Sequence, residues 1–205
     1  MLKKYALLII IVLILDQLLK IWVKTNMFIG DSIPIFGNWA FVHFVENEGM
    51  AFGWKLFGGG DFGKIFLSVF RIAAVIGIAY YLWIIIKQKK HFLLLISISL
   101  IFAGALGNII DSLFYGLIFE ASTPFHVASM FPADGGYANF LHGRVVDMFY
   151  FPLFEGSYPK WIPWIGGDYY QFFQPVFNIA DSSIFIGVSM LVIMQKKFFA
   201  NEEEY

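Results

Sequence analysis

IFLSVFRIAAVIGIAYYLWIII (residues 65–86), KQKK (87–90) and FLLLISISLIFAGALGNIIDSLF (92–114) follow one another, with only His91 between the last two. Each apolar run is long enough to cross a hydrocarbon core that needs about 20 helical residues. The basic tetrad is then a short turn between two spans. Runs from about Tyr5 to Val23 and from Val176 to Gln195 add two more, which predicts four transmembrane helices at about 5–23, 65–86, 92–114 and 176–195. Lys3 and Lys4, the Lys87 to Lys90 turn and Lys196-Lys197 share one side of that arrangement. By the positive-inside rule this side is the cytoplasm, both termini face in, and the connections at about 24–64 and 115–175 face out. The first run is expected to be a permanent helix rather than a signal peptide, since no small-x-small site closes it and Asp16, Gln17 and Lys20 interrupt it.

Composition agrees with a single integral membrane domain over residues 1–205. The chain is 59% hydrophobic, 20% aromatic and 14% charged, with a mean hydropathy of +0.71, values outside the soluble globular range. Net charge is −1 and the basic residues sit at segment ends, so no nucleic-acid footprint is present. Cysteine is absent, which excludes disulfides, thiolate catalysis and Cys-ligated metal. The four histidines show no His-Glu-x-x-His spacing. Any catalysis falls to carboxylates, and no cofactor or metal is expected.

In the outward segments, Trp39 to Val45 is rich in β-formers between Gly37-Asn38 and Glu46-Asn47-Glu48-Gly49, which predicts a strand of a small surface sheet. From Tyr150 to Pro175, Trp161, Trp164, Tyr169 and Tyr170 alternate with four prolines, the pattern of an interfacial aromatic belt on irregular backbone. Arg71 reads as a snorkelling cation. The Glu202 to Glu204 tail reads as a solvated end.

Ionisable and amide groups near hydrocarbon are the functional candidates. Asp16 and Lys20 share a helix face at i,i+4 and pair, either to orient that helix or to serve a site. Gly104, Asn108, Asp111 and Ser112 form one stripe on the third helix, which serves close packing or turns Asn108 toward a site. Pro175 suits a helix start, with Asn178, Asp181 and Ser182 on one side of the first turns; Asp181 either caps that helix or does chemistry. Asp147 follows Val145-Val146 on the same outer side. Two carboxylates about 4 Å apart repel by about 4 kcal/mol at an effective dielectric near 20, roughly 3 pK units, so such a pair shares one proton near neutral pH. That state suits aspartyl proteolysis. Gly58-Gly59-Gly60-Asp61 matches a Gly-x-Gly-Asp pattern of other intramembrane proteases, yet reads as a loop turn. Competing readings are a small four-helix transporter or channel subunit and a non-catalytic membrane scaffold.

Five blocks carry a family resemblance: Asp16-Gln17-x-x-Lys20, Asn47-x-Gly49-x-Ala51-Phe52, Gly104 to Asp111, Val145-Val146-Asp147 and Phe177 to Asp181. In order and across nearly the whole chain they resemble lipoprotein signal peptidase, the signal peptidase II family of bacterial inner-membrane aspartyl proteases. The resemblance implies that Asp147 and Asp181 are the catalytic dyad at the outer face. It places Asn47 and Gly49 in an extracytoplasmic β-cradle, Gly104, Asn108 and Asn178 lining the site, and Asp16 and Lys20 in support. It implies no cofactor, a surrounding of membrane lipids, a monomer, and a prolipoprotein substrate carrying diacylglyceryl-cysteine, cut on the N-terminal side of that residue. The chain departs from the family where Ser112 stands in place of the usual arginine, and Arg144 is the expected substitute cation for substrate. The stretches at 113–141 and 150–175 are longer than the family pattern, as a lid, a partner surface or an enlarged outer region.

Overall fold

Lys89 adopts a left-handed φ of 53°, and the Lys90 N–H donates to the Ile85 carbonyl at 3.1 Å. This closure ends one helix and turns the chain back into the next. The computed structural model describes residues 2–48 and 61–199. Among these, four helices are long and apolar enough to cross a membrane: α1 (Leu2–Asn26), α2 (Asp61–Lys87), α3 (Phe92–Ile110), continued by a π-helical segment at Asp111–Tyr115 and a last turn α4 (Gly116–Ile118), and α5 (Ile179–Phe199).

Half of the α3 span is buried (50%), against 11% for α2 and 17% for α1 and α5, so α3 is the axis of the bundle and its neighbours present apolar faces outward. Ile14, Phe70, Phe185 and Ile193 are exposed accordingly, as a lipid-facing surface requires. Two glycines bring α3 and α5 into backbone contact. A Cβ on Gly104 would strike the Ala180 carbonyl, and one on Gly187 would lie 2.7 Å from Ser97 O and from Ile101 Cγ1. In lipid, where burial of apolar surface gives no drive to associate, such close approach is what holds helices together. Meanwhile α2 packs chiefly against α3.

Two apolar clusters mark the ends of the bundle. Tyr5, Leu82, Ile85, Leu94, Leu95, Ile98 and Phe198 gather the lysine-rich ends of the helices. At the opposite end, Val23, Met27, Phe44, Tyr115, Phe119, Val146 and Met148 seat a four-stranded antiparallel sheet on α1 and the end of α3. Its strands are β1 (Ser32–Phe36), β2 (Ala40–Asn47), β3 (Val145–Tyr150) and β6 (Val176–Phe177), in the order β1-β2-β3-β6. The expected strand at Trp39 to Val45 is β2, two residues longer at its C-terminal end.

Two expectations need correction. The last helix begins at Ile179, not near 176, and Pro175 opens a strand, because Val176 and Phe177 pair with Tyr150 and Phe149. The 150–175 region is not irregular throughout: Phe154–Ser157 (β4) and Tyr169–Phe172 (β5) form a two-stranded hairpin whose tip exposes Trp161 and Trp164. The other long stretch folds back on the bundle: Ala138 N–H donates to Gly116 O at 2.9 Å, Tyr137 N–H to Phe119 O at 3.0 Å and Gly143 N–H to Ser112 O at 2.9 Å. Gly49 and the Gly58-Gly59-Gly60 turn lie outside the described residues.

Candidate active site

The β3–β6 pairing sets Phe149 opposite Phe177, and the residue after Phe177 is Asn178. This asparagine is the N-cap of α5. Its Oδ1 accepts from the Asp181 N–H at 2.8 Å, and Asp181 Oδ2 reaches back to the Asn178 N–H at 3.4 Å, the reciprocal arrangement of a capping box. Asp16 adds a carboxylate from α1, accepting from the Ala180 N–H at 2.8 Å. A helix start leaves its first N–H groups without partners; here two neighbouring elements supply them, which fixes where Asp181 stands.

Asn178 also links that helix start to the sheet. Its Nδ2 lies 2.7 Å from Asp147 Oδ1, 3.2 Å from Val146 O and 3.1 Å from Asn108 Oδ1. The other Asp147 oxygen accepts from Asn47 Nδ2 across the β2–β3 pair. Asn108 in turn donates to Asp181 Oδ1 at 2.7 Å. The two carboxylates from distant parts of the chain are therefore linked through two contacting amides, Asn178 on Asp147 and Asn108 on Asp181. Asp147 is buried, with 5% of its surface exposed, while Asp181 is half-buried. Burial first, and then the Asp181 charge, push the Asp147 carboxyl up to about 7, against the pull of Lys20 and of the Asn47 and Asn178 donors.

Beneath the pair, Lys20 is fully buried and its ammonium has three acceptors: Asp16 Oδ2 at 2.8 Å, Asp111 Oδ2 at 2.9 Å and Asn108 Oδ1 at 2.9 Å. The last contact fixes the Asn108 amide. With its oxygen on the ammonium, its Nδ2 must face Asp181. Asp111 sits where α3 widens into the π segment, a device that re-aims side chains within a helix. It accepts from Gln17 Nε2 at 2.9 Å and from the Val146 N–H at 3.2 Å, tying β3 to α1 and α3 one residue before Asp147.

Of the residues singled out in the sequence, Asp16, Lys20, Asn47, Asn108, Asp147, Asn178 and Asp181 are brought together, and Gly104 packs directly beneath them against Ala180. Gly49 is not among the described residues. Arg144 is a correction: its Nη1 lies 3.6 Å from Glu46 Oε2 and its guanidinium 5.5 Å from the Tyr137 ring, so its charge is directed to Glu46. Arg71 stands on the α2 face that carries Ser68, whose Oγ donates to Leu141 O at 2.9 Å, and Lys64, whose Nζ donates to Glu48 O at 2.7 Å. Missed altogether was a buried group of Lys24, Glu46 and Ser122. A lysine in the last turn of a long apolar helix reads as an interfacial anchor, and nothing in the spacing distinguishes it.

Two carboxyls bridged by amide donors, one of them with a pKa near neutrality, can hold one proton between them and act as acid and base. Comparison with known proteins bears on what such a pair serves. The family described as Signal peptidase (SPase) II matches residues 8–197. A lipoprotein signal peptidase of Porphyromonas gingivalis is 50% identical over 192 residues, covering 93% of this chain and 82% of that protein. One of Amoebophilus asiaticus is 38% identical over 187 residues, covering 90% and 74%. A solved bacterial membrane enzyme superposes with a TM-score of 0.65 at 28% identity, covering 99% of this chain and 93% of that one.

Proposed function

This chain belongs to the signal peptidase II family, and from that premise we propose that it works as an aspartic endopeptidase in which Asp147 and Asp181 activate the attacking water. As a family member it is a peptidase that removes signal peptides from prolipoproteins, and a multi-pass bacterial inner-membrane protein. The finer reading rests on one observation: the Asp147 and Asp181 carboxylates, from β3 and α5, are linked at one end of the bundle by two contacting amides, Asn178 donating to Asp147 and Asn108 to Asp181. The ionised member of the pair draws a proton from water as its oxygen attacks the scissile carbonyl, and the protonated member donates to the carbonyl oxygen. When the tetrahedral intermediate collapses, the amine leaves with the proton held by the first carboxyl, a hydroxyl of the intermediate returns its proton to the second carboxyl as the product carbonyl forms, and the pair regains its starting state.

The substrate is a precursor with a diacylglyceryl-cysteine, cut on the N-terminal side of that cysteine. Several features support this. The four helices expose apolar faces to lipid, from which a helical signal peptide and two acyl chains enter the site laterally. The lysine-rich helix ends, gathered around Tyr5, Leu82, Leu94 and Phe198, lie at the opposite end of the bundle; with those ends cytoplasmic, the pair works at the outer leaflet. The enzyme acts as a monomer and without a cofactor.

Incubation of the purified chain in lipid with a diacylglyceryl-modified precursor should yield two products, with mass spectrometry placing the new amino terminus on the lipidated cysteine. Turnover should fall on the alkaline side above about pH 7, because Asp147 keeps its proton below its raised pKa and loses it above. Cleavage elsewhere, or turnover still rising well beyond that pH, would count against the reading.

A further inference from the structure

Residues next to each other on a strand point to opposite faces. Asn47, the donor to Asp147, is the last residue of β2, paired with Val145, and Glu46 beside it pairs with Val146. Beyond Asn47 the chain leaves the sheet, and a register shift interrupts the β2–β3 ladder between Val42 and Val45. What fixes this strand end is on its other face. The Glu46 carboxylate is 1% exposed and pairs with the fully buried Lys24 ammonium of α1. Ser122 Oγ completes the group, accepting from Lys24 Nζ at 2.8 Å and donating to Glu46 Oε1 at 3.0 Å. The ammonium also stands 5.5 Å from the Phe119 ring and 5.0 Å from the Tyr137 ring, within cation–π reach.

Three of these partners, Phe119, Ser122 and Tyr137, belong to the long stretch between α3 and β3, and Arg144 from its end faces the second Glu46 oxygen at 3.6 Å. That stretch is thus an inner wall of the sheet, closing a charged group that α1 and β2 leave half built. A buried carboxylate and ammonium have strong geometric demands: each must keep the other or stand uncompensated.

We infer that Glu46, clamped by Lys24 and Ser122, is a positioning residue for the dyad, holding the end of β2 so that Asn47 keeps its hydrogen bond to Asp147. The inference rests on the reading of Asp147 as catalytic. Glu46 touches neither the substrate nor the carboxyl pair and acts through its neighbour on the strand.

A double-mutant cycle in the lipid-reconstituted full chain tests it, with kcat and KM measured on a diacylglyceryl-modified precursor. Glu46→Gln should lower kcat about tenfold with KM within about twofold, and the same change in an Asn47→Ala background should lower kcat by less than about twofold. Ser122→Ala, which removes a single hydroxyl, should give the same pattern at about threefold and serves where Glu46→Gln fails to fold. An equal loss in both backgrounds, a change confined to KM, or unchanged kcat in both variants would overturn the positioning role. Asp147→Asn runs alongside. If it turns over like wild type, the dyad assignment fails and the positioning role falls with it; if it is inactive while the cycle shows no coupling, only the positioning role fails.

Discussion

Asp147→Asn and Asp181→Asn each give a folded, inserted protein that converts lipidated precursor at least about 10³-fold more slowly than wild type, since acid–base groups of this kind supply about 10²–10⁴ in rate and each carboxyl does both jobs in turn. The size of the effect follows from chemistry and the survival of the fold from the hydrogen bonds. Asp147 only accepts, from Asn178 on one oxygen and Asn47 on the other. An asparagine there keeps the first contact, and the Asn47 amide can turn to present its oxygen to the new NH2. At Asp181 the Asn108 amide cannot turn, because Lys20 holds its oxygen; an asparagine can still offer its own oxygen to Asn108 Nδ2 and retain the bond now made at 2.7 Å. Size-exclusion behaviour and thermal unfolding should therefore stay near wild type while the processed product disappears. Product formation near the wild-type rate by both variants would remove these residues from the mechanism.

Lys20→Met has the largest expected effect on stability. The substitution keeps roughly the same apolar stem but leaves Asp16 and Asp111, both buried, without the cation they share. Removing one partner of a buried charge group costs about 3–5 kcal/mol, a large part of the 5–15 kcal/mol by which a typical protein is stable. The loss should spread to the site, since Asn108 is freed to turn and Asp16 also holds the α5 start through Ala180. Thermal unfolding in detergent measures it, and a midpoint within about 2 °C of wild type would contradict the account. The triple variant Asp16→Asn, Lys20→Met, Asp111→Asn should recover much of the lost stability, because no unpaired charge remains, yet stay catalytically weak.

Much of this was legible before any coordinates. Apolar run length predicted the four spans, and Asp16 and Lys20 at i,i+4 do pair. Asn178-x-x-Asp181 also carried a helix-start signal, and the two readings of Asp181 turn out to be compatible: the residue closes the capping box and faces Asp147 through the same asparagine. What was hidden depends on tertiary pairing. Val176-Phe177 reads as the start of an apolar helix, and only β3 makes it a strand. The β4–β5 hairpin is masked by the prolines at its base and tip, which argue against strands. Arg144 is the nearest cation to Asp147 along the chain, and in the fold its guanidinium lies by the buried Glu46 and the Tyr137 ring.

The central claim is that the Asp147–Asp181 pair holds a single proton at neutral pH. Infrared difference spectroscopy on enzyme carrying isotope-labelled aspartate, titrated in lipid between about pH 5 and 9, reads that proton directly. The expected result is a protonated carboxyl signal that is lost with a midpoint near 7, is missing from Asp147→Asn and moves to lower pH in Asp181→Asn, where burial still acts but the second charge is gone. Two carboxyls ionised over the whole range, or a protonated signal unaffected by either substitution, would contradict it.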